Sequence, residues 1–497
     1  MKTTLYITAS LALATIAGCT VGPDYRHPTD PQLAAFSPAT QPATTQPSSL
    51  TTSSMVSAEW WRTLNDPVLD DLMTRVVSSN LDLKIAYARV LQARAELAYA
   101  NGGKYPEVNT SAGYSYNRLS KNAAPYNAFD VPGFPWEYNQ YQAGFDATWE
   151  LDVFGGTRRA VEAAGAAADA SVADNQAVML SVMAELARNY VDLRGTQRRY
   201  QIAAGNLHNQ QETLDVTRDR RKQGVVTELD VAQAASQVAK TQAELPVLRQ
   251  KESEAIRRIA VLLGRQPEAL REKLSAVTPL PVPPPQIAIG VPAELLRRRP
   301  DIRRSERDLA AATARIGQAK ADLYPKFSLV GNFNMMSENT HDFFDWNSRS
   351  FGIGPSVSWP IFDAGRIRSV VDVRDAQQQQ ALAQYERTVL GALEEVHNAI
   401  SDFAAQQERR LALADAVTAD QTAADVAQAQ YKQGIVNFLN VLDAQRSLYE
   451  SQDRLADCER AVTTSLITLY KTLGGGWDPV APAKMNQQVS LQSNNGQ

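Results

Sequence analysis

The sequence contains very little cysteine and histidine. Its 497 residues include only 2 cysteines and 4 histidines. The spacing of the histidines matches no metal-binding pattern; they are His27, His208, His341 and His397. We therefore predict no metal site and no cofactor apart from a covalent lipid at the N terminus, described below.

The sequence also lacks long apolar runs and a strong charge of either sign. Beyond the N terminus, no segment stays apolar over the about 20 residues that a membrane-spanning helix needs. If the chain crosses a membrane, it must therefore do so as β-strands. The formal net charge is -4, and this slightly acidic balance argues against nucleic acid as a partner.

Catalytic motifs are missing as well. The segment Gly102-Gly-Lys104 has neither the preceding strand nor the spacing of a phosphate-binding loop. No Ser/His/Asp or Cys/His set occurs in a suitable context. We therefore predict that the protein is not an enzyme.

The N terminus resembles the signal peptide of a bacterial lipoprotein. A positively charged start and a short apolar run lead to Ile16-Ala-Gly-Cys19. Residues 1–18 would be removed, and Cys19 would carry the lipid, which leaves Cys458 without a disulfide partner. Thr20, in place of Asp, implies delivery to the outer membrane. The alternative is an ordinary cleaved signal followed by a chance cysteine.

The rest of the chain is a tandem repeat. The matching pairs are 221–234 with 431–444 and Trp149 with Trp359 at an offset of 210, and Tyr105-Pro106 with Tyr324-Pro325 at an offset of 219. The first copy therefore carries about nine extra residues between Pro106 and Trp149, where a loop is free to vary.

The composition divides the chain into six parts. They are the signal peptide (1–18), a lipidated extended tether rich in Pro, Thr, Ser and Gln (19–57), the first repeat (58–277), a Pro-rich linker (278–291), the second repeat (292–474) and an irregular tail (475–497).

Each repeat is predicted to contain a helix, two strands and two long helices. The helices cover 80–102 and 300–322, and the long helical hairpins cover about 157–264 and 365–474. The first long helix of each hairpin has no proline over roughly 65 residues, which gives a helix of about 100 Å. Abundant alanine permits close packing, so we predict coiled-coil-like hairpins that turn at Gly224 and Gly434.

The segments between the helices alternate between apolar and polar residues with period two. They predict β-hairpins at about 105–153 and 324–362. One phase includes Val108, Tyr114, Phe145, Trp149, Phe327, Phe333, Phe351, Ile353, Trp359 and Ile361, and the other includes Asn109, Ser111, Asp146, Asn332, Asn334 and Ser350. Each run has about ten residues, the length of a tilted transmembrane strand, and aromatic residues gather near the ends.

A soluble β-sandwich with its apolar faces packed together is the alternative to strands in lipid. The polar opposite faces and the lipoprotein signal favour lipid. Four strands cannot close a barrel, and open edges are not tolerated in lipid. Bacterial barrels have at least about eight strands, so three copies of the chain would share one barrel of twelve.

Four motifs and the repeat together resemble a known family. The motifs are Cys19-Thr-Val-Gly-Pro-Asp-Tyr-Arg-His-Pro28, Arg297-Arg-Arg-Pro-Asp-Ile-Arg303, Leu323-Tyr-Pro325 and Trp359-Pro-Ile-Phe-Asp-Ala-Gly-Arg366. They resemble the outer membrane factor family, the TolC- and OprM-like efflux lipoproteins often labelled NodT, over essentially the whole mature chain.

The resemblance implies an α+β membrane protein that forms a homotrimer. One twelve-stranded outer-membrane β-barrel would continue into a long periplasmic α-helical barrel with a mixed equatorial collar. The implied function is the exit duct of a tripartite efflux system, with a periplasmic adaptor and an inner-membrane pump of the RND type. The alternatives are the outer-membrane component of a type I protein secretion system and a structural coiled-coil lipoprotein.

The resemblance also implies a gate at the periplasmic end, where the helical hairpins converge. The residues that match are Asp230, Tyr431 and Asp443, whereas Asn440 replaces an acid and Val436 stands where some relatives have Arg. Three copies of Asp443 around one axis would repel each other by about 1 kcal/mol per pair in water, and more at a lower dielectric constant. Alternatively, Asp230 and Asp443 are solvated helix-start residues.

The hairpin turns present small apolar residues that suit an adaptor's own hairpin. They are Gly224, Val225, Val226, Gly434, Ile435 and Val436. The alternative is a simple helix–helix turn. In the arginine cluster from Arg297 to Arg304, we predict that Asp301 starts a helix and that the arginines form salt bridges in the collar rather than a ligand site.

Overall fold

The computed structural model describes residues 20–28, 49–51, 57–120, 122, 135–284, 286–288 and 298–475. The predicted signal peptide, Cys19, most of the predicted tether and the predicted tail beyond residue 475 lie outside the described residues.

The chain divides into two compact units, and each unit draws on both sequence repeats. The strand unit comprises Met1–Pro28, Val90–Ser171 and Ser305–Tyr385, and the helical unit comprises Thr29–Arg89, Val172–Arg304 and Glu386–Gln497. A single repeat is therefore a unit of sequence but not a unit of packing.

Two pairs of long helices dominate the described residues. After a 3₁₀ turn at Trp60–Leu64, the helices are α1 (Pro67–Ser79), α2 (Leu81–Gly102), α3 (Gly156–Lys222), α4 (Glu228–Leu262), α5 (Arg271–Leu274), α6 (Pro300–Ala321), α7 (Arg366–Lys432) and α8 (Phe438–Thr472). Helices α3 and α7 have 67 residues each, which corresponds to about 100 Å. Within the described ranges, no helix has both the length and the apolar character that crossing a membrane requires.

The strands form two sheets. The short strands β1 (Ser49–Thr51) and β4 (Gln286–Ala288) pair in parallel. The larger sheet is antiparallel in the order β2-β3-β5-β6, with β2 at Glu107–Arg118, β3 at Glu137–Leu151, β5 at Lys326–Ser337 and β6 at Arg349–Ser358. The pairing of β3 with β5 joins the hairpin of the first repeat to that of the second.

The register of the larger sheet collects the apolar phases of its strands on one face. Phe333 lies opposite both Phe145 and Phe351 in a single cross-strand row. In the adjacent row, Asp146 lies opposite Asn332. Successive side chains point to opposite faces of a sheet, so one face is aromatic and the other is polar, as the alternation predicts.

The apolar face is largely exposed in this chain. Phe351 and Ile353 are 76% and 80% exposed. Besides the larger sheet, the described residues contain only the two-stranded pair of β1 and β4. The soluble sandwich would need a second apolar sheet against this face, and the described part of the chain does not supply one.

Two tryptophans fix the ends of the sheet in equivalent ways. The indole of Trp149 donates to the carbonyl of Lys104 at 3.0 Å, and that of Trp359 donates to the carbonyl of Leu323 at 3.1 Å. Both repeats therefore form this indole–carbonyl hydrogen bond, although the first repeat has a longer segment between its two strands. The ladder of β6 stops at Ser358 although the alternation continues to Ile361, because Pro360 has no N–H to donate.

Part of the predicted tether is docked on the strand unit. The side chain of Arg159 is 3% exposed, and its guanidinium pairs with the carboxylate of Asp24 at 2.6 Å. Gly22 has a φ of +95°, and a Cβ there would lie 2.4 Å from the Cα of Gly317. The first residues after Cys19 are thus held by a buried cation and a close backbone contact.

The second cysteine is an inert packing residue. Cys458 is a free thiol with no exposed surface, and its Sγ lies 3.5 Å from the carbonyl oxygen of Gln406. Burial raises the pKa of the Cys458 thiol, so little of the reactive thiolate forms at neutral pH.

The core of the helical unit contains a buried capping residue. Asp66 precedes α1 and accepts hydrogen bonds from the backbone N–H groups of Val68 at 2.9 Å and Leu69 at 3.0 Å. The phenol of Tyr190 donates to its second oxygen at 2.6 Å. Burial and this bond raise the pKa of Tyr190 to about 12. One carboxylate therefore starts α1 and ties it to α3.

We expect Asp66→Ala to lower the free energy of unfolding by about 1–3 kcal/mol, because the cap is lost and a buried phenol loses its acceptor. Asp66→Asn should cost less, since asparagine also caps helices. Asp71→Ala on the same helix is the matched control, because Asp71 forms only partly exposed ion pairs with Arg75 and Lys273. Thermal unfolding in detergent, followed by circular dichroism, measures the difference. Equal losses for Asp66→Ala and Asp71→Ala would contradict this role.

Candidate functional site at the helical hairpin turns

Both long hairpins turn through the same glycine cap. Gly224 follows α3 with a φ of +76°, and the N–H of Val225 donates to the carbonyl of Arg220 at 3.0 Å. Gly434 follows α7 with a φ of +77°, and the N–H of Ile435 makes the equivalent bond at 2.9 Å. This is a Schellman motif, in which a left-handed glycine closes the helix end. Both turns contain the glycine at which the sequence predicts the hairpin to turn.

The returning helices begin with related caps. In the first hairpin, the N–H of Thr227 donates to the carboxylate of Asp230 at 2.8 Å, and the N–H of Asp230 donates to the hydroxyl of Thr227 at 3.3 Å. These bonds form a capping box. In the second hairpin, the N–H of Asn440 donates to the side chain of Asn437 at 3.3 Å. Asp230 therefore has a structural role whatever else it does.

A single arginine joins the two hairpins. Arg220, at the end of α3, donates to the carbonyls of Tyr431 at 2.7 Å and Lys432 at 2.8 Å. Its guanidinium also lies 4.3 Å from the centroid of the Tyr431 ring. The last carbonyls of a helix have no partner within the helix and carry partial negative charge. Arg220 thus caps α7 from the neighbouring hairpin.

A small apolar cluster lies beneath the turns. Its buried members are Leu214, Ala234, Tyr431, Phe438 and Val441. The rings of Tyr431 and Phe438 meet edge to face with centroids 5.8 Å apart. Because the members come from both hairpins, the two turns pack as one body within the chain.

The hydroxyl of Tyr431 is left unpaired inside this cluster. Tyr431 is 4% exposed, and its Oη has no hydrogen-bond partner among the described residues. A buried hydroxyl without a partner costs about 1–3 kcal/mol. Among the described residues, the turn thus retains an unsatisfied polar group.

The four predicted gate residues have different environments. Asp230 and Asn440 occupy equivalent positions in the first turns of α4 and α8, and Tyr431 is buried in the last turn of α7. Asp443 is exposed about one turn further along α8, without a side-chain hydrogen bond or ion pair to the described residues. The structure therefore brings all four to one end of the hairpins, but only Asp443 has an unengaged carboxylate.

The predicted docking residues fall into an exposed edge and an inner pair. Val225 and Ile435 are 66% and 67% exposed. The glycines beside them have open space where a Cβ would stand. Val226 and Val436 are half-buried and pack against the apolar cluster. Among the predicted docking residues, the accessible apolar side chains are therefore those of Val225 and Ile435.

Arg220 is the residue at these turns that the sequence analysis misses. Helix α3 ends with the basic residues Arg220, Arg221 and Lys222, which is typical of a helix C terminus. The repeat shows that Gln430 stands at the equivalent position of the second copy. This difference between the two copies indicates that Arg220 has a role of its own in the first hairpin, but it does not show which carbonyls the side chain contacts.

The arginine cluster before α6 forms the predicted salt bridges. Arg299 is 8% exposed and pairs with Asp301 and Glu395, each at 2.7 Å. Arg304 pairs with Asp174 at 2.5 Å. Asp301 lies in the first turn of α6, as predicted. Arg297 lies outside the described residues. The described residues also contain no group of three or more His, Cys, Asp or Glu that could hold a metal ion.

Comparisons with known proteins give a consistent result. A family model described as outer membrane efflux protein matches residues 72–265 and 291–475. The chain is 32% identical over 457 residues to the pyoverdine export outer membrane protein OpmQ of Pseudomonas putida, covering 92% of this chain and 96% of that protein. It is 31% identical to nodulation protein T of Rhizobium leguminosarum bv. trifolii, covering 97% and 100% of the two chains.

A solved structure agrees with the sequence comparisons. The outer-membrane channel OprN is 38% identical, has a TM-score of 0.84, and aligns over 93% of this chain and 100% of its own. The predictions of an outer-membrane efflux channel and of a protein that is not an enzyme are confirmed. The chain belongs to the outer membrane efflux protein family.

Proposed function

We propose that this outer-membrane channel is the exit duct of a tripartite efflux system. It passively conducts small molecules that an inner-membrane pump of the RND type and a periplasmic adaptor deliver. The register of the larger sheet carries the proposal, because it puts the aromatic row of Phe145 and Phe333 on one face and Asp146 on the other. A wall between lipid and water needs two such faces. Relatives named for pyoverdine export and toluene efflux favour small molecules over protein secretion.

A homotrimer completes this wall. Strands β2 and β6 are the outer edges of the sheet, and their outward N–H and C=O groups must be paired in lipid. Pairing β6 of one copy with β2 of the next closes a barrel of twelve strands from three copies, above the minimum of about eight for bacterial barrels.

The helical hairpins form the periplasmic part of the duct. Three copies of α3, α4, α7 and α8 give a helical barrel, and the exposed Val225 and Ile435 at its tip are the docking edge for the adaptor's hairpin. The equatorial collar contains α1 and the pair of β1 and β4, which belong to the helical unit. The equal lengths of α3 and α7 support a tip at which all hairpins end together.

The gate lies at the same tip. Threefold symmetry places three Asp443 carboxylates around the axis, where they repel each other and attract cations. The hydroxyl of Tyr431, which has no partner among the described residues, supports a contact with a neighbouring copy. Asn440 and Asp230 stand beside them in the first turns of the returning helices.

A lipid on Cys19 anchors the duct in the outer membrane. The N–H of Val21 donates to the carbonyl of Phe154 at 3.1 Å, three residues after β3 ends. The docked segment therefore starts beside the end of the sheet, where an acyl chain reaches the bilayer.

We expect Asp443→Ala to raise single-channel conductance in planar bilayers, because the ring of carboxylates that traps cations at the constriction disappears. Asp230→Asn is a better second variant than Asp230→Ala, since asparagine removes the charge but keeps an acceptor for the N–H of Thr227. Asp415→Ala, which removes an exposed carboxylate from α7 away from the turn, is the control. Unchanged conductance in Asp443→Ala would remove this residue from the gate.

We expect Ile435→Glu to lower efflux while trimer assembly persists, since a charge replaces part of the apolar docking edge. Gly434→Asn tests the turn separately, because asparagine tolerates the left-handed conformation, and it should leave efflux nearly intact. A drug-susceptibility assay measures efflux in both variants, and immunoblots measure how much trimer each variant forms. Full efflux in Ile435→Glu would argue against docking at this edge.

Native mass spectrometry of the protein from outer membranes should detect a trimer with one lipid adduct per chain. Cys19→Ala should lose the adduct and fractionate incorrectly. A monomer would contradict the shared barrel, and normal outer-membrane fractionation of Cys19→Ala would contradict the lipid anchor.

A further inference from the structure

The apolar face of the larger sheet carries arginines at its loop end. Arg349 lies opposite Met335, one row beyond Phe333 and Phe351, so its side chain belongs to the same face as theirs. On the opposite edge of the sheet, Arg118 shares this face and lies opposite Glu137. Two cations thus lie at the loop end of a face whose rows through Phe145 and Trp149 are aromatic and aliphatic across β3, β5 and β6.

Only one of these two arginines has an acidic partner. Arg118 pairs with Glu137 at 3.4 Å. The guanidinium of Arg349 lies 4.9 Å from the centroid of the Trp346 ring, and it donates to the carbonyl of Phe344 at 3.4 Å. No carboxylate of the described residues pairs with Arg349. Its charge is therefore compensated only by an aromatic ring and a carbonyl dipole.

The loop between β5 and β6 keeps this arrangement at the surface. The hydroxyl of Ser348 donates to the carbonyl of Asp342 at 2.7 Å, and the N–H of Ser348 donates to the carbonyl of Asp345 at 3.2 Å. Phe344 and Trp346 are nevertheless 73% exposed each. The loop satisfies its polar groups with internal hydrogen bonds. The rings of Phe344 and Trp346 remain exposed to solvent, next to Arg349.

We propose that Arg349 and Trp346 bind the phosphate of an anionic lipid headgroup in the outer leaflet. This inference rests on the proposed function, because the apolar face must contact lipid. A guanidinium matches a phosphate with two parallel hydrogen bonds, and an exposed tryptophan suits the depth of the headgroups. An arginine without a carboxylate on a face that contacts lipid has donors that can pair with an anion from the bilayer. Arg118 already has Glu137 and is not part of the site.

The test compares a phosphorylated lipid A with its dephosphorylated form. The wild-type protein in detergent is titrated with each lipid, and native mass spectrometry counts the molecules that remain bound. We expect the phosphorylated lipid to bind about tenfold more tightly, as charge-assisted hydrogen bonds allow. Arg349→Gln should abolish the preference, Arg349→Lys should retain part of it, and Trp346→Phe should retain more than Trp346→Ala.

The matched control is Arg118→Gln, which removes the same charge from the same face and should keep the preference. Equal binding of the two lipids by the wild type would overturn the proposal, as would an equal loss in Arg118→Gln. Displacement of the bound lipid by inorganic phosphate at comparable concentration would also overturn it, because the site would then recognise the free ion.

Conductance of each variant in planar bilayers separates the two proposals. A wild type that neither inserts nor conducts contradicts the duct, whereas a conducting protein without the preference contradicts only the lipid site.

Discussion

The pairing of β3 with β5 is the interaction on which the rest of the structure depends. It joins hairpins from the two repeats in one register, so that the aromatic row of Phe145 continues across the join to Phe333. A slip of one residue would move Phe333 to the polar face and Asn332 or Asn334 to the apolar face. The register thus defines the two sides of the sheet, and in the proposed barrel one side faces lipid and the other faces water.

The same pairing leaves β2 and β6 as edges, and in the proposed barrel these edges make one copy insufficient. A strand edge in lipid cannot be solvated, so its polar groups must find another strand. In the proposed trimer, closure by further copies then repeats every feature of the chain around an axis. This is why small features of the turns matter: a single exposed carboxylate becomes a ring.

The apolar periodicity and the positions of proline and glycine predict the helices and strands of this fold well. The long helices α3 and α7 follow from the absence of proline, and their glycine turns follow from the repeat. The docking of residues after Cys19 could not be predicted, because a Pro- and Thr-rich composition contains no trace of the buried Arg159 or of the contact between Gly22 and Gly317. Long-range contacts of this kind determine position without changing local propensity. The bridge from Arg220 to α7 was missed for the same reason.

The two repeats have nearly the same backbone at the turns but different side chains, and this asymmetry assigns different roles to the two predicted gate acids. The carboxylate of Asp230 already accepts the N–H of Thr227, so its charge is stabilised locally by a helix N terminus. Asp443 has no such partner in the described residues, and its charge is available to respond to neighbouring copies. Arg220 holds the end of α7 and the buried ring of Tyr431 against the first hairpin. In the proposed gate, the first hairpin therefore supplies the fixed support, and the second supplies the charge that opens or closes the duct.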